Sequence, residues 1–446
     1  MKHPRLLIIS SSAFNPLSGG GITFTNLFRG WPTDKIAVVH NDKIEPSTDI
    51  CKKYFYLGTK EFQWAFPFSI ASKFGLREKL ENCAREAKGV AAHGGRSGGS
   101  GILKNFAKII MPLFQRFFHN EIPTCVRVSR ELEKFINDFK PEVIYTILGS
   151  LPYIRLVRKV AEKYNLPVVI HMMDDWPAVR YRGGLFGFFR RRRMDKELRN
   201  LIKNSAACLG ICSAMCEAYE KRYGRKFFAF ANALDSANWL KKARKSWRRT
   251  SPFKMLYSGA LMPDSQLESL IDVCDAVFEL NKEGLDVEME IYAPWFSAKH
   301  YRGELERTGC VRVFDAQEKM DCEELFSKAD LLILPVNFDR ATVEYVKYSM
   351  PTKVPAYMFS GTPALAYGPR FVASIAYASE WAYCVFNKDK KELKDAIKHL
   401  ASDEELRKKL AMRAQKLAIE RHDVGRVGSA FQQVISDAAK RDTQSL

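Results

Sequence analysis

Blocks of apolar residues recur along this chain at the spacing of a parallel α/β protein. Residues 5–13 (RLLIISSSA) read as a strand, the loop FNPLSGGG follows, and a helical pattern is expected at 22–31. Further strand-like runs lie at 36–40 (IAVVH), 143–148 (VIYTIL), 168–173 (VVIHMM) and 207–212 (ACLGIC), most of them separated by helical patterns such as 153–164. Near-continuous apolar strands alternating with helices imply a parallel sheet covered on both faces. After the polar, basic stretch 241–252 (KKARKSWRRTSP), which reads as a linker, the alternation restarts. FKMLYSG, a helix near 267–281, VEMEIYA, VRVFDA, the helix CEELFSKA and LLILPV lead to YSMPTKVPAYMFSGTPALAYGP. From about 390 to 435 apolar residues recur at three- and four-residue spacing, so the tail is helical. The expected fold class is α/β, two tandem Rossmann-like domains at 1–240 and 253–420. A closing helix at 421–446 is expected to pack back on the first domain.

A chain of 446 residues exceeds what one core normally supports, which agrees with two domains. The balance of 70 Lys and Arg against 51 Asp and Glu leaves a net charge of +19, which favours phosphate-bearing partners: nucleic acid, an anionic membrane surface or a nucleotide. Ten cysteines include no CxxC pair, so neither a zinc ribbon nor a disulfide framework is expected. Cys208, Cys212 and Cys216 read better as buried thiols than as metal ligands. The first residues lack the pattern of a secretory signal, and no apolar run reaches the roughly 18 residues of a spanning helix. A cytoplasmic protein is expected, soluble or peripheral at the inner face of the cell membrane.

Three stretches carry candidate chemistry. Gly19, Gly20 and Gly21 stand between the first strand and first helix, where backbone could approach a phosphate closely; a tight structural turn is the competing reading. His171, Asp174, Asp175 and Trp176 follow a strand end in VVIHMMDDWP, a natural place for acid/base or hydroxyl-orienting groups, against the alternative of a capped loop. At 185–193, Leu185, Phe186, Phe188 and Phe189 adjoin Arg190, Arg191, Arg192 and Arg193, and 102–118 (ILKNFAKIIMPLFQRFF) is a second such piece. Apolar groups beside clustered cations suit an anionic membrane, or a core-facing helix with a solvated basic face. Neither segment lies in a nucleic-acid module, so no nucleic-acid partner is expected. The Gly/Ser run 89–101 reads as a flexible loop, natural or introduced, without a site.

The stretch 348–369 sets Ser, Pro, Thr and Lys at the head of a short apolar helix, a placement suited to an anion. Together with the tandem βα domains, the Gly-rich loop and the DDWP turn, it resembles the GT-B glycosyltransferases, most closely the retaining nucleotide-sugar enzymes of family 4. The resemblance implies that the second domain holds a nucleoside diphosphate sugar, with Ser349, Thr352 and Lys353 at the diphosphate and Gly361 ending the helix. It implies transfer to a saccharide or lipid-linked acceptor held by the first domain, in surface polysaccharide or glycoconjugate synthesis, with neither cofactor nor metal required. Two departures stand out. The family's pair of glutamates, the second of which accepts the ribose hydroxyls, is replaced by Tyr348 and Ala356, so activity is expected to be impaired or the member divergent. Its Arg and Lys after the FKMLYSG glycine are Ala260 and Ser265, leaving Lys353, Lys347 and Arg340 as local cations. The rival readings are a non-hydrolysing nucleotide-sugar epimerase and a non-catalytic membrane- or partner-binding module with a decayed sugar site.

Overall fold

A computed structural model describes residues 3–16, 18–65, 69, 124–316 and 321–440. The Gly/Ser run 89–101 and the basic apolar segment 102–118 lie outside them. The first domain is built on seven parallel strands: β1 (Leu6–Ser10), β2 (Ile36–His40), β3 (Tyr54–Tyr56), β6 (Val143–Ile147), β7 (Val168–Met172), β8 (Ala207–Gly210) and β9 (Phe228–Ala229). Their order is β3-β2-β1-β6-β7-β8-β9, while β4 (Phe62–Trp64) and β5 (Thr124–Val126) form a separate antiparallel pair. The second domain carries β10 (Phe253–Ser258), β11 (Val287–Ala293), β12 (Val311–Asp315), β13 (Leu331–Pro335), β14 (Ala364–Tyr367) and β15 (Tyr383–Val385), in the order β12-β11-β10-β13-β14-β15. Every neighbouring pair in both large sheets is parallel, and β1, β2, β6, β7 and β13 are almost wholly buried. That burial explains why these strands are runs of Val, Ile and Leu with little alternation.

Three local results differ from the pattern. The glycines form the first turn of the helix Gly19–Leu27, because Ser18 caps it, its Oγ accepting from the Gly21 amide at 3.1 Å. The helical tail is three helices, Lys390–Ser402, Glu404–His422 and Val424–Ala438. Asp403 and Asp423 break it, each carboxylate capping the helix it precedes through the amides of Leu406 and Arg426. The basic stretch 241–252 is pinned rather than loose: Arg244 reaches buried Asp330 at 2.6 Å, and the Trp247 indole donates to the Gly361 carbonyl at 2.9 Å.

The last helix lies on the first domain. Phe431 packs edge-on against Phe28, Tyr145 and Phe230, and Leu234 bridges to Asp423. The chain therefore crosses between domains twice, which restricts how they move apart. Among the described residues no helix is long and apolar enough to cross a membrane.

Candidate functional site in the interdomain cleft

The segment between the helices Arg340–Val346 and Val354–Phe359 meets the ends of the first domain's strands. Thr352 Oγ1 donates to the Gly19 carbonyl at 3.2 Å, and Asn232 Nδ2 donates to the Thr352 carbonyl at 2.8 Å. A Cβ on Gly19 would stand 2.9 Å from Thr352 Oγ1, so a residue without a side chain is needed for this approach. Ser349 Oγ donates to Asp174 Oδ1 at 2.8 Å, and Tyr348 and Met350 pack on the first domain's core. At the rim, Glu344 pairs with Arg182 of the first domain and with Arg340 of its own helix.

Lys353 is the chemically distinctive group of this cleft. Its ammonium lies 3.8 Å from the centroid of the Tyr257 ring and has no acidic partner among the described residues. Protein crowds it on nearly every side, and the lost hydration pushes the ammonium down to about 7. Its surface nevertheless keeps a window to solvent. The Tyr257 hydroxyl donates to the Ala260 carbonyl at 2.7 Å and accepts from Gln266 Nε2 at 3.0 Å, which fixes the ring beneath the cation. A ring face attracts a cation without neutralising it, so the charge remains available to an anion. Gly259 leaves room for it: a Cβ there would come within 2.6 Å of Lys353 Nζ, and its φ of 145° lies where L-residues are strained. Gly259→Ala is expected to lower nucleoside diphosphate affinity about tenfold or more, measured by calorimetry, by displacing the ammonium.

The helix after Lys353 is wholly buried and stops at Gly361, whose φ is +74°. Tyr357 ties it to the end of β10, its hydroxyl accepting from the Ser258 amide at 3.0 Å. Ala356 lies three residues beyond Lys353, about one turn along on nearly the same side, and is 9% exposed. Lys347 is half-buried over the Tyr348 ring, 5.3 Å from its centroid. The Arg340 side chain is 92% exposed and its charge is engaged by Glu344, so it stands outside the crowded part of the cleft.

The residues of the DDWP turn separate into different environments. Asp174 opens to solvent in the cleft although protein surrounds most of it; burial raises its carboxyl above the ordinary range, and the Ser349 hydroxyl opposes that shift. Asp175 is buried and held by Arg222 at 2.7 and 3.0 Å and by the Tyr219 hydroxyl at 2.8 Å. Trp176 is buried in the first domain's core, so it offers no open face to a sugar. His171 is 0% exposed, shares a 2.6 Å hydrogen bond with the Tyr145 hydroxyl and packs against Phe431. Its Nε2 faces the Gly210 and Phe230 backbone without a hydrogen bond of good geometry, and burial pushes it down to about 3. It is a neutral core imidazole on the sheet face under the closing helix.

Phe186, Phe188 and Phe189 are exposed at the start of the helix Gly187–Asn204, with Phe188 and Phe189 each 68% open. Arg190 lies over the Tyr181 ring, Arg193 pairs with Glu197 at 3.2 Å, and Arg191 and Arg192 border a groove. Cys208, Cys212 and Cys216 are buried free thiols, and among the described residues no cluster of His, Cys, Asp or Glu is placed to hold a metal ion. Tyr257, Gly259 and Asn232 were not singled out as site residues from sequence. Only Gly259, closing FKMLYSG at a strand end, gave a signal there.

Comparison with solved structures places the fold. The chain superposes on sucrose-phosphate synthase from Thermosynechococcus elongatus with a TM-score of 0.61 at 11% identity, covering 96% of this chain and 98% of that one. The architecture is GT-B. HepE from Anabaena, solved in complex with UDP-glucose, matches with a TM-score of 0.54 at 13% identity over 97% and 99% of the two chains. WaaG, a glycosyltransferase involved in lipopolysaccharide biosynthesis, matches with a TM-score of 0.58 at 11% identity over 96% and 99%. No family model matches the sequence, and no curated protein matches it.

Proposed function

We propose that the chain is a glycosyltransferase that takes a sugar from a nucleoside diphosphate donor held at Lys353. The observation that carries this reading is a crowded ammonium without an acidic partner among the described residues, over an aromatic ring and next to the contact of Thr352 with the other domain. Such a cation gains most from a diphosphate, and more in the transition state as the leaving group takes up charge. Ser349 and Thr352 precede it in the same segment, Lys347 adds a second cation, and of the three glycines Gly20 is the one whose open side is taken neither by Thr352 nor by Asn15. Asp174, facing from the other domain, orients the acceptor or the reacting sugar. The chemistry proposed for these residues uses neither a cofactor nor a metal, and retention of anomeric configuration follows the family 4 resemblance.

The fold shared with HepE, solved with UDP-glucose, and with the glycosyltransferase WaaG supports the donor class. The acceptor is proposed to be a saccharide or lipid-linked molecule, with the exposed aromatic and arginine cluster at 185–193 resting on the anionic inner face of a membrane. An epimerase would need imidazole or paired carboxylates around the sugar, and His171 lies in the core instead.

Ala356 supplies the test. A carboxylate there could accept the ribose hydroxyls in charge-assisted hydrogen bonds, each about 1.5–3 kcal/mol. Ala356→Glu is expected to raise turnover at least about tenfold, equivalent to roughly 1.4 kcal/mol, when a panel of nucleotide sugars is screened for nucleoside diphosphate release. No release with any donor, from either protein, would replace the reading with a binding module whose sugar site has decayed.

A further inference from the structure

A second basic feature lies behind the DDWP turn, outside the donor cleft. A groove of about 470 Å³ runs between the turn at Pro177 and Ala178 and the helix Gly187–Asn204, bordered by Phe188, Arg191, Arg192, Arg199 and Arg222. Its size is that of a small-ligand site, roughly 300–1,000 Å³. The charges in it are unequally engaged. Arg222 is held by Asp175, and Arg199 by Asp195 at 2.7 Å. Arg191 and Arg192 have no acidic partner among the described residues, so the groove keeps a surplus of two guanidinium charges. Its lip is apolar: Leu185, Phe186 and Phe189 are exposed next to Phe188, which itself lines the groove. The DDWP turn lies between the groove and the cleft: Asp174 meets Ser349 of the second domain, Asp175 anchors Arg222, and Pro177 borders the groove, all within four residues of chain.

We propose that this groove binds the phosphate end of a lipid-linked acceptor, with Arg191 and Arg192 taking the phosphate charge and Phe188 and Phe189 supporting the first segments of its apolar chain. This rests on the glycosyl-transfer reading for the word acceptor, while the binding chemistry stands on the groove itself. Two planar guanidinium groups match a diphosphate, which accepts several hydrogen bonds and carries matching charge. An apolar chain leaving that head would meet the exposed rings and remove them from water. An acceptor held there would have its far end pass over the DDWP turn to reach Asp174 and Lys353. A bare bilayer surface would use the same charges, but it does not need a groove of small-ligand size beside them.

The test is a binding titration of the full chain with farnesyl diphosphate, farnesol and inorganic pyrophosphate, repeated in Lys353→Ala to remove the donor-site cation. Farnesyl diphosphate is expected to bind at least about tenfold more tightly than either fragment and to keep its affinity in Lys353→Ala. Combined Arg191→Gln and Arg192→Gln is expected to weaken it about tenfold or more, and Phe188→Ser to weaken farnesyl diphosphate while leaving pyrophosphate unchanged. Melting temperatures of these surface variants check that they remain folded. Binding that disappears in Lys353→Ala, or survives the double arginine change, overturns the proposal. It is also overturned if the double change abolishes sedimentation with phosphatidylglycerol vesicles but leaves farnesyl diphosphate affinity intact, since the arginines then serve a membrane surface. The titration reads no turnover, so loss of the glycosyl-transfer reading would leave a positive result here standing.

Discussion

Lys353→Ala is expected to weaken nucleoside diphosphate binding by about 1.5–3 kcal/mol, a loss of roughly 10- to 150-fold. What surrounds the ammonium sets the size of the loss. It has no carboxylate within salt-bridge reach among the described residues, its ring partner Tyr257 does not neutralise it, and it is desolvated enough to sit at about 7. A bound diphosphate restores the proton's stability, so binding is coupled to proton uptake. Below about pH 7 Lys353 is already charged and affinity should be flat on its account; above it, a proton must be acquired and affinity should fall as pH rises. The same shift acts on folding. An unfolded lysine titrates near about 10.4, so between the two values the unfolded chain binds more protons and this group's destabilising effect is relieved as pH rises. Lys353→Met should therefore melt higher than the parent near neutral pH while losing nucleotide binding, a division that simple misfolding would not produce.

Asp175→Ala is expected to cost about 3 kcal/mol of folding stability, because breaking a buried ion pair leaves charge and polar groups without partners. Here the stranded groups are the Arg222 guanidinium, which stays partly open to water, and the Tyr219 hydroxyl, which does not. That partial exposure places the estimate at the lower end of the range for such pairs. Asp174→Asn should behave oppositely. Its carboxylate is open in the cleft and bonded only to Ser349 among the described residues, so thermal stability should hold while transfer falls more than nucleotide binding does. Chemical denaturation of both variants, with nucleotide titration and product formation, separates the two roles. A stable Asp175→Ala protein, or equal losses of binding and transfer in Asp174→Asn, would contradict them.

The strands were legible because buried parallel strands must be apolar at nearly every position, and β1, β2, β6, β7 and β13 are almost wholly enclosed. Helix boundaries were less so. Glycines are poor helix formers, so the start at Gly19 became visible only through the Ser18 cap, and the breaks in the tail only through the amides that Asp403 and Asp423 cap. In the site, Lys353 was marked by its place before a buried helix. The lack of an acidic partner, which makes it chemically significant, depends on groups distant in sequence. Asp174 and Asp175 could not be told apart as neighbours in the chain; Arg222, 47 residues on from Asp175, decides between them. For His171 the strand-end position suggested the cleft, whereas its side chain points into the sheet face covered by Phe431. That cover comes from the last helix, beyond the reach of local pattern.

The most direct test of the account is a calorimetric titration of the unaltered chain with a panel of nucleoside diphosphates at about pH 6.5 and about pH 8.5, alongside Lys353→Ala. The account predicts that at least one of them binds, that it binds more tightly at the lower pH, and that Lys353→Ala removes about tenfold or more of its affinity together with the pH dependence. Binding by none of them, or binding of equal strength in the variant, would contradict it.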